Sequence, residues 1–208
     1  IALPIPLQDR EISLSASIGV SLFPQDGDDY DTLLRNADAA MYRAKEAGGN
    51  TFRFYTADMN AQALKKLEME ARLRYAVERG ELLLHYQPLL NLRTNEVTDV
   101  EALLRWRTQG HGLILPDTFL PIAEMSGLII QIGAHVIELA CKTLAQWREE
   151  DVPASRLALN VSARQCMDDG FAASLEQVLE RYRIPAINLD LEITESSFLD
   201  KGSSSKVL

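Results

Sequence analysis

Polar side chains alternate with apolar ones on three segments, 100–106, 157–162 and 187–194, and their types are those that bind hard cations. The polar residues that share one face are Glu101 and Arg105 on the first segment, Asn160 and Ser162 on the second, and Asn188, Asp190, Glu192 and Thr194 on the third. Carboxylate and amide oxygens favour Mg²⁺, Mn²⁺ or Ca²⁺ over zinc. The pattern therefore predicts either a site for such a cation or a structural cluster of polar side chains.

The elements between these segments decide where the polar faces point. Apolar residues three and four positions apart predict helices over 116–125, 128–148 and 171–183. Strands that alternate with helices form a parallel sheet, open or closed into a barrel, and the helices cover its apolar face. The polar face would then line a barrel interior. Carboxylates there need cations or Arg partners, because burying an unpaired charge is costly.

The beginning of the chain predicts a strand, a helix and a second strand. The segment 12–22 alternates apolar residues with Ser and Gly, which predicts a strand with its apolar face buried and its other face in water. A helix follows to about Ala47, and either Asp29 or Asp31 caps its first amides. The segment 51–55 is then a short strand.

The middle of the chain predicts a connection between two units. A charged amphipathic helix over 58–80 is the candidate connector. The apolar runs 82–92 and 97–106, which four polar residues separate, predict an antiparallel hairpin.

Composition excludes several classes of protein. The chain has 208 residues, of which 47% are hydrophobic and 25% charged, the balance of a globular protein rather than of a disordered chain, collagen or a coiled coil. With 21 Lys and Arg against 30 Asp and Glu, the net charge of −9 lacks the footprint expected for binding long nucleic acid. Two cysteines do not predict a disulfide framework and are compatible with a reducing cytoplasm. We expect no membrane-spanning segment, because no run of about 18 uncharged apolar residues occurs.

Motifs in a fixed order give the chain a family resemblance. They are Tyr86-Gln87-Pro88, Val100-Glu101-Ala102-Leu103-Leu104-Arg105-Trp106, Leu115-Pro116-Asp117-Thr118-Phe119, Asn160-Val161-Ser162 and Leu191-Glu192-Ile193-Thr194-Glu195-Ser196. Together they resemble the EAL domain, a family that hydrolyses cyclic di-GMP. The stretches that resemble the C-terminal end of a GGDEF diguanylate cyclase domain are Ser17-Ile18-Gly19-Val20, residues 37–45 and Gly48-Gly49-Asn50.

The resemblance implies an α/β chain of two parts. An incomplete GGDEF, cyclase-like unit over 1–56 is joined to the N-terminal part of an EAL domain over 81–208. Residues 57–80 form the connecting helix and the start of the EAL domain. EAL domains are modified TIM barrels whose first strand runs antiparallel, in agreement with the predicted hairpin.

The resemblance also implies a reaction and the residues that support it. EAL domains bind two Mg²⁺ or Mn²⁺ ions that activate a water and cleave one phosphodiester of cyclic di-GMP to give linear pGpG, by the logic of two-metal hydrolysis. The implied metal ligands are Glu101, Asn160 and Glu192. The implied substrate-binding residues are Gln87, Leu103 and Arg105.

Two further residues match family positions with less direct roles. Glu195 matches the position that steadies a neighbouring functional loop. Lys45 matches a residue that can touch nucleotide phosphates, although a surface lysine is the favoured interpretation here. The family's later Asp pair, Lys and further Glu ligand are not found in this sequence, so we expect the 208 residues alone to be inactive.

Three functions stay open on the sequence, ranked in the following order. The first is a cyclic di-GMP phosphodiesterase, the second a non-catalytic cyclic di-GMP receptor, and the third a bifunctional protein that also has diguanylate cyclase activity. The implied partners are cyclic di-GMP, GTP at the upstream unit and a second copy in a homodimer. We expect a cytoplasmic location, with any membrane anchor in a sensory region outside this sequence.

Overall fold

Helices alternate with strands along most of the chain, as the periodicity predicts, and they fall into two units, Ile1–Glu68 and Met69–Leu208. The computed structural model describes residues 5–7, 10–12, 14–110, 112–152 and 156–193. Both units contain helices and strands, which confirms the α/β class.

The first unit contains two small sheets and a β-α-β arrangement. Its elements are β1 (Ile5–Leu7), β2 (Arg10–Ile12), β3 (Ile18–Val20), α1 (Tyr30–Glu46) and β4 (Phe52–Phe54), followed by α2 (Ala57–Leu73). β1 pairs antiparallel with β2, and β3 pairs in parallel with β4. β3 is shorter than the predicted strand 12–22. The backbone amide of Thr32 donates to the Asp29 carboxylate at 2.8 Å, so Asp29 is the cap of α1.

The face of β3 that contacts α1 is opposite to the predicted one. Gly19 packs so closely that a Cβ atom placed there would lie 1.8 Å from the carbonyl oxygen of Ala37. The hydroxyl of Ser21 donates to the carbonyl oxygen of Leu33 at 2.9 Å, whereas Ile18 on the apolar face is 54% exposed. The prediction of a buried apolar face is wrong here, because the small side chains are the ones that let the helix approach the strand.

α2 ends earlier than the predicted connector helix. After Leu73 the amides of Tyr75 and Ala76 donate to carbonyl oxygens three residues back, in place of the regular helical bonds. Leu73 and Ala76 both lie in the core of the second unit. The amphipathic pattern predicted a helix to residue 80, but tighter turns bring this part of the chain onto the core.

The second unit is a sheet covered by helices on one face. Its further elements are β5 (Leu82–Asn91), β6 (Glu96–Thr108), β7 (Gly112–Ile114), α3 (Pro116–Ser126), α4 (Leu128–Glu149), β8 (Arg156–Val161), α5 (Ala163–Cys166), α6 (Phe171–Tyr182), a 3₁₀ turn (Ala186–Asn188) and β9 (Leu189–Ile193). The strand order is β5-β6-β8-β9, with β7 also paired to β6. β5 and β6 form the predicted antiparallel hairpin, whereas β6, β8 and β9 are parallel.

The core of the second unit lies between the sheet and its helices. The strand residues that belong to it share one face of the sheet: Leu82, Val100, Ala102, Trp106, Leu157, Leu159 and Leu189. α4 is long and apolar enough to cross a membrane by length and composition. Its buried residues, which include Ile132, Ile137 and Cys141, pack in this core. The polar residues of the three strands are therefore left on the face that the helices do not cover.

Candidate functional site

The strand register brings the three predicted metal ligands to one place on the polar face. Glu101 of β6 is paired with Ala158 of β8, and Asn160, two residues further along β8, is paired with Glu192 of β9. Residues two apart on a strand point to the same face. The side-chain amide of Asn160 donates from Nδ2 to Oε1 of Glu101 at 2.8 Å. Adjacent strands thus hold two carboxylates and one amide side by side.

The chemistry of this group suits a hard divalent cation. The donors are carboxylate and amide oxygens, which Mg²⁺ and Mn²⁺ prefer. Because Nδ2 of Asn160 donates to Glu101, its Oδ1 is left to serve as a ligand. Asn160 and Glu192 are exposed and Glu101 is half-buried, so a cation and a substrate can reach the group. Within the described part of the chain, no three His, Cys, Asp or Glu side chains already form a metal cluster, and the predicted set contains only two carboxylates.

The three predicted substrate-binding residues lie on the same polar face at increasing distance along the hairpin. Gln87 of β5 is directly opposite Glu101 in the antiparallel register. Leu103 and Arg105 follow Glu101 at intervals of two residues on β6, so they share its face. One guanidinium nitrogen of Arg105 donates to the carbonyl oxygen of Leu104 at 2.8 Å. Its remaining donors are available for an anion that lies over this face.

An ion cluster lies on the same face, nearer to the amino ends of the parallel strands. The guanidinium of Arg156 forms two hydrogen bonds with Asp99, from Nε to Oδ1 at 2.9 Å and from Nη2 to Oδ2 at 3.0 Å. Its Nη1 lies 3.7 Å from Oδ2 of Asp190. The hydrogen bonds from Arg156 hold the pKa of the Asp99 carboxyl below its usual range. The sequence predicted Asp190 on the polar face but missed both Arg156 and Asp99, because only the strand register brings them together.

A buried glutamine fixes the chain just after Asn160. The amide of Ser162 donates to Oε1 of Gln165 at 3.0 Å, and the amide of Gln165 donates to the Ser162 hydroxyl at 3.3 Å, so the two residues cap α5 reciprocally. Gln165 is only 5% exposed, and its side chain rests on Gly133 of α4. The sequence signal for this support is Ser, any two residues and Gln immediately after a strand.

A cavity of about 420 Å³ adjoins the candidate site. Its walls come from both faces of β6, from the end of β8 and from α3 and α4, and they include Leu103, Asn160 and Gln165. Sites for small molecules are usually cavities of a few hundred Å³ with mostly apolar walls and few polar groups. Carboxylates at its rim come from Asp117 and Glu124.

Two of the predicted residues do not belong to this group. Glu195 lies outside the described residues, so its predicted role in supporting a loop stays a prediction. Lys45 is exposed in the last turn of α1, in the first unit. Its predicted nucleotide contact also stays a prediction.

Comparisons with known proteins agree with these features. Residues 70–207 match the model of the EAL domain, and residues 1–51 match that of the diguanylate cyclase GGDEF domain. The chain is 41% identical over its full length to the bifunctional diguanylate cyclase/cyclic di-GMP phosphodiesterase MucR of Pseudomonas aeruginosa, covering 30% of that protein. It is 38% identical over 96% of its length to the cyclic di-GMP phosphodiesterase PdeR of Escherichia coli, again covering 30% of the relative.

A solved structure shares the fold of this chain. The PaMucR phosphodiesterase in complex with c-di-GMP superposes with a TM-score of 0.60 at 40% identity, covering 64% of this chain and 53% of the solved one. The chain therefore spans less than a third of the curated relatives and about half of this structure.

Proposed function

The chain belongs to the EAL domain family, and its residues 1–51, before the EAL part, match the GGDEF domain. We therefore propose that the protein acts in cyclic di-GMP signalling as a phosphodiesterase. Its substrate is cyclic di-GMP and its product is linear pGpG. The observation that carries the proposal is the juxtaposition of Glu101, Asn160 and Glu192 on adjacent strands, with Asn160 bonded to Glu101 at 2.8 Å.

In the proposed mechanism, Glu101, Asn160 and Glu192 would hold the metal through side-chain oxygens. Bound Mg²⁺ or Mn²⁺ would polarise the phosphate, lower the pKa of a water and offset the charge that develops during hydrolysis. The amide of Asn160 keeps the carboxylate of Glu101 oriented, so that both offer oxygens on the same side of the sheet. Such preorganisation spares the site the cost of arranging its donors during the reaction.

The neighbouring residues of the hairpin would bind and orient the substrate. Arg105 is permanently charged and offers several donors, which suits a phosphate. Gln87, opposite Glu101, offers an amide that can donate to or accept from the second half of the dinucleotide. Leu103 lies between Glu101 and Arg105 and supplies apolar contact beside the cavity.

Hydrolysis of cyclic di-GMP by the intact protein tests this proposal. With Mg²⁺ or Mn²⁺ present, we expect linear pGpG to form, and we expect Glu101→Gln to reduce the rate by at least about 100-fold, because it removes a charged ligand. Glu96→Gln is the matched control, since Glu96 is an exposed glutamate at the start of the same strand and should have no effect.

The same assay separates the alternatives. Full activity of the Glu101→Gln variant would contradict the assignment of the metal site. Tight binding of cyclic di-GMP without any turnover by the unmodified protein would support a receptor instead of an enzyme.

A second activity is proposed for the upstream unit. Residues 1–51 match the GGDEF domain, and MucR is named as bifunctional. We therefore propose that the upstream unit of the intact protein has diguanylate cyclase activity. Incubation of the intact protein with GTP tests this, and formation of cyclic di-GMP is the expected result. Absence of product would leave the phosphodiesterase as the only activity proposed.

A further inference from the structure

Arg156 is the cation that faces two carboxylates just below the candidate metal ligands. Two of its guanidinium nitrogens, Nε and Nη2, donate to Asp99 at 2.9 Å and 3.0 Å, and the third, Nη1, lies 3.7 Å from Oδ2 of Asp190. The hydroxyl of Thr98 adds a third hydrogen bond to Asp99 at 3.2 Å. Both oxygens of Asp99 are therefore engaged, and Asp190 is held near the same guanidinium.

Each of these two carboxylates lies close to a candidate ligand. Asp99 precedes Glu101 by two residues on β6, and Asp190 precedes Glu192 by two residues on β9, so all four point to the same face. Asp190 and Glu101 are both paired with Ala158 of the strand between them. The side chain of Ala158 is only a methyl group and is buried, so it contributes no polar group to this face.

The two additional carboxylates matter because a divalent cation can bind any accessible carboxylate oxygen. Mg²⁺ requires nearly octahedral geometry with oxygen ligands about 2.0–2.1 Å away, so the number and position of the free carboxylates decide how many ions bind and where. An arginine keeps its charge at any physiological pH and matches a carboxylate with two parallel hydrogen bonds. An exposed ion pair contributes little to stability. Its position beside the candidate ligands thus points to a role in metal binding.

We propose that Arg156 keeps Asp99 and Asp190 away from the cation and so restricts divalent-metal binding on this face to Glu101, Asn160 and Glu192. The inference rests on the proposed function, because it assumes that those three residues hold the metal. Arg156 is a positioning residue in this account, since it acts through the two aspartates rather than by touching the substrate. Its removal frees both aspartates, but Asp99 keeps the hydrogen bond from the hydroxyl of Thr98, so Asp190 becomes the freer of the two.

Titration of the intact, metal-free protein with Mn²⁺ tests the inference. Free Mn²⁺ is followed by its electron paramagnetic resonance signal, which does not depend on activity. We expect Arg156→Gln to bind about one more Mn²⁺ per chain than the unmodified protein, because an aspartate becomes available as a ligand. Arg156→Gln combined with Asp190→Asn should restore the original number. Asp190→Asn alone should leave the number unchanged.

Each outcome separates the inference from the proposed function. Two outcomes overturn the role of Arg156 and leave the proposed function standing. One is an unchanged number of bound Mn²⁺ in Arg156→Gln, and the other is an extra ion that persists when Asp190→Asn is added. Loss of an ion in Asp190→Asn alone would make Asp190 a native ligand and would also overturn it. If the unmodified protein binds no Mn²⁺, or if Glu192→Gln leaves binding intact, the proposed metal site itself fails and the role of Arg156 fails with it.

Discussion

Replacing Asn160 with Asp tests whether the hydrogen bond to Glu101 is part of a metal site. The substitution preserves the size of the side chain but puts a second carboxylate where Nδ2 donates to Oε1 at 2.8 Å. Two unit charges about 4 Å apart repel by about 1 kcal/mol in bulk water and by about 4 kcal/mol at the effective dielectric of a protein surface. Because Asn160 is exposed, the repulsion lies near the lower value. Loss of the hydrogen bond adds about 1 kcal/mol.

We therefore expect Asn160→Asp to destabilise the metal-free second unit by about 2 kcal/mol, or about 4 to 8 °C in melting temperature for a domain of this size class. Melting curves of the intact protein are recorded with and without Mg²⁺. A cation between the carboxylates screens their repulsion, so Mg²⁺ should recover most of the loss. The double substitution Glu101→Gln with Asn160→Asp exchanges amide and carboxylate. It should remain close to the original stability without metal, because the hydrogen bond can form in the opposite direction.

Two results would refute this reasoning. Equal melting temperatures of the Asn160→Asp variant and the original protein without metal would mean that Asn160 and Glu101 do not meet. A loss that Mg²⁺ fails to reverse would mean that the two carboxylates do not share a cation.

Further predictions concern packing and pH. Gly19→Ala should destabilise the first unit by about 3 kcal/mol or more in thermal melts, because the new methyl group would lie 1.8 Å from the carbonyl oxygen of Ala37. Gly170→Ala is the control in the same melts, because its methyl group would contact only the flexible carboxylate of Asp168. Trp106→Ala should cost the second unit about 3 to 5 kcal/mol in denaturant unfolding, since the indole is fully buried; a loss below about 1 kcal/mol would contradict its place in the core. Burial lowers the pKa of His135 below its ordinary value of 6.5, so its contribution to stability is present above about pH 6.5 and is lost as the pH falls through the lowered pKa. His135→Gln should flatten the decline of melting temperature between about pH 7 and pH 5, and an unchanged decline would assign it to other groups.

The sequence predicted which residues share the face of the candidate site because the period of a strand is fixed. Alternation every two residues placed Glu101, Leu103 and Arg105 on one face, and the alternation of strands with helices indicated which face the helices cover. Both predictions are confirmed by the core, which contains Ala102 and Trp106 from the opposite face. The residue that lies beside each candidate ligand on the next strand depends on the strand register, which a single segment does not reveal.

The failures have a different physical origin. β3 was expected to bury its Ile and Val side chains, but Gly19 and Ser21 face α1 because a helix packs closest where side chains are smallest. The two hydrogen bonds from Arg156 to Asp99 join residues far apart in sequence, and nothing in either segment indicates the other as its partner. Tertiary contacts of this kind override local pattern, so pattern alone could not predict them.

The most direct test of the metal site is the position of Mn²⁺ in crystals of the intact protein, located by its anomalous scattering. We predict a peak about 2 Å from oxygens of Glu101, Asn160 and Glu192 together. A peak that none of these residues contacts, or side chains of the three that turn away from one another while Mn²⁺ is bound elsewhere, would contradict the account.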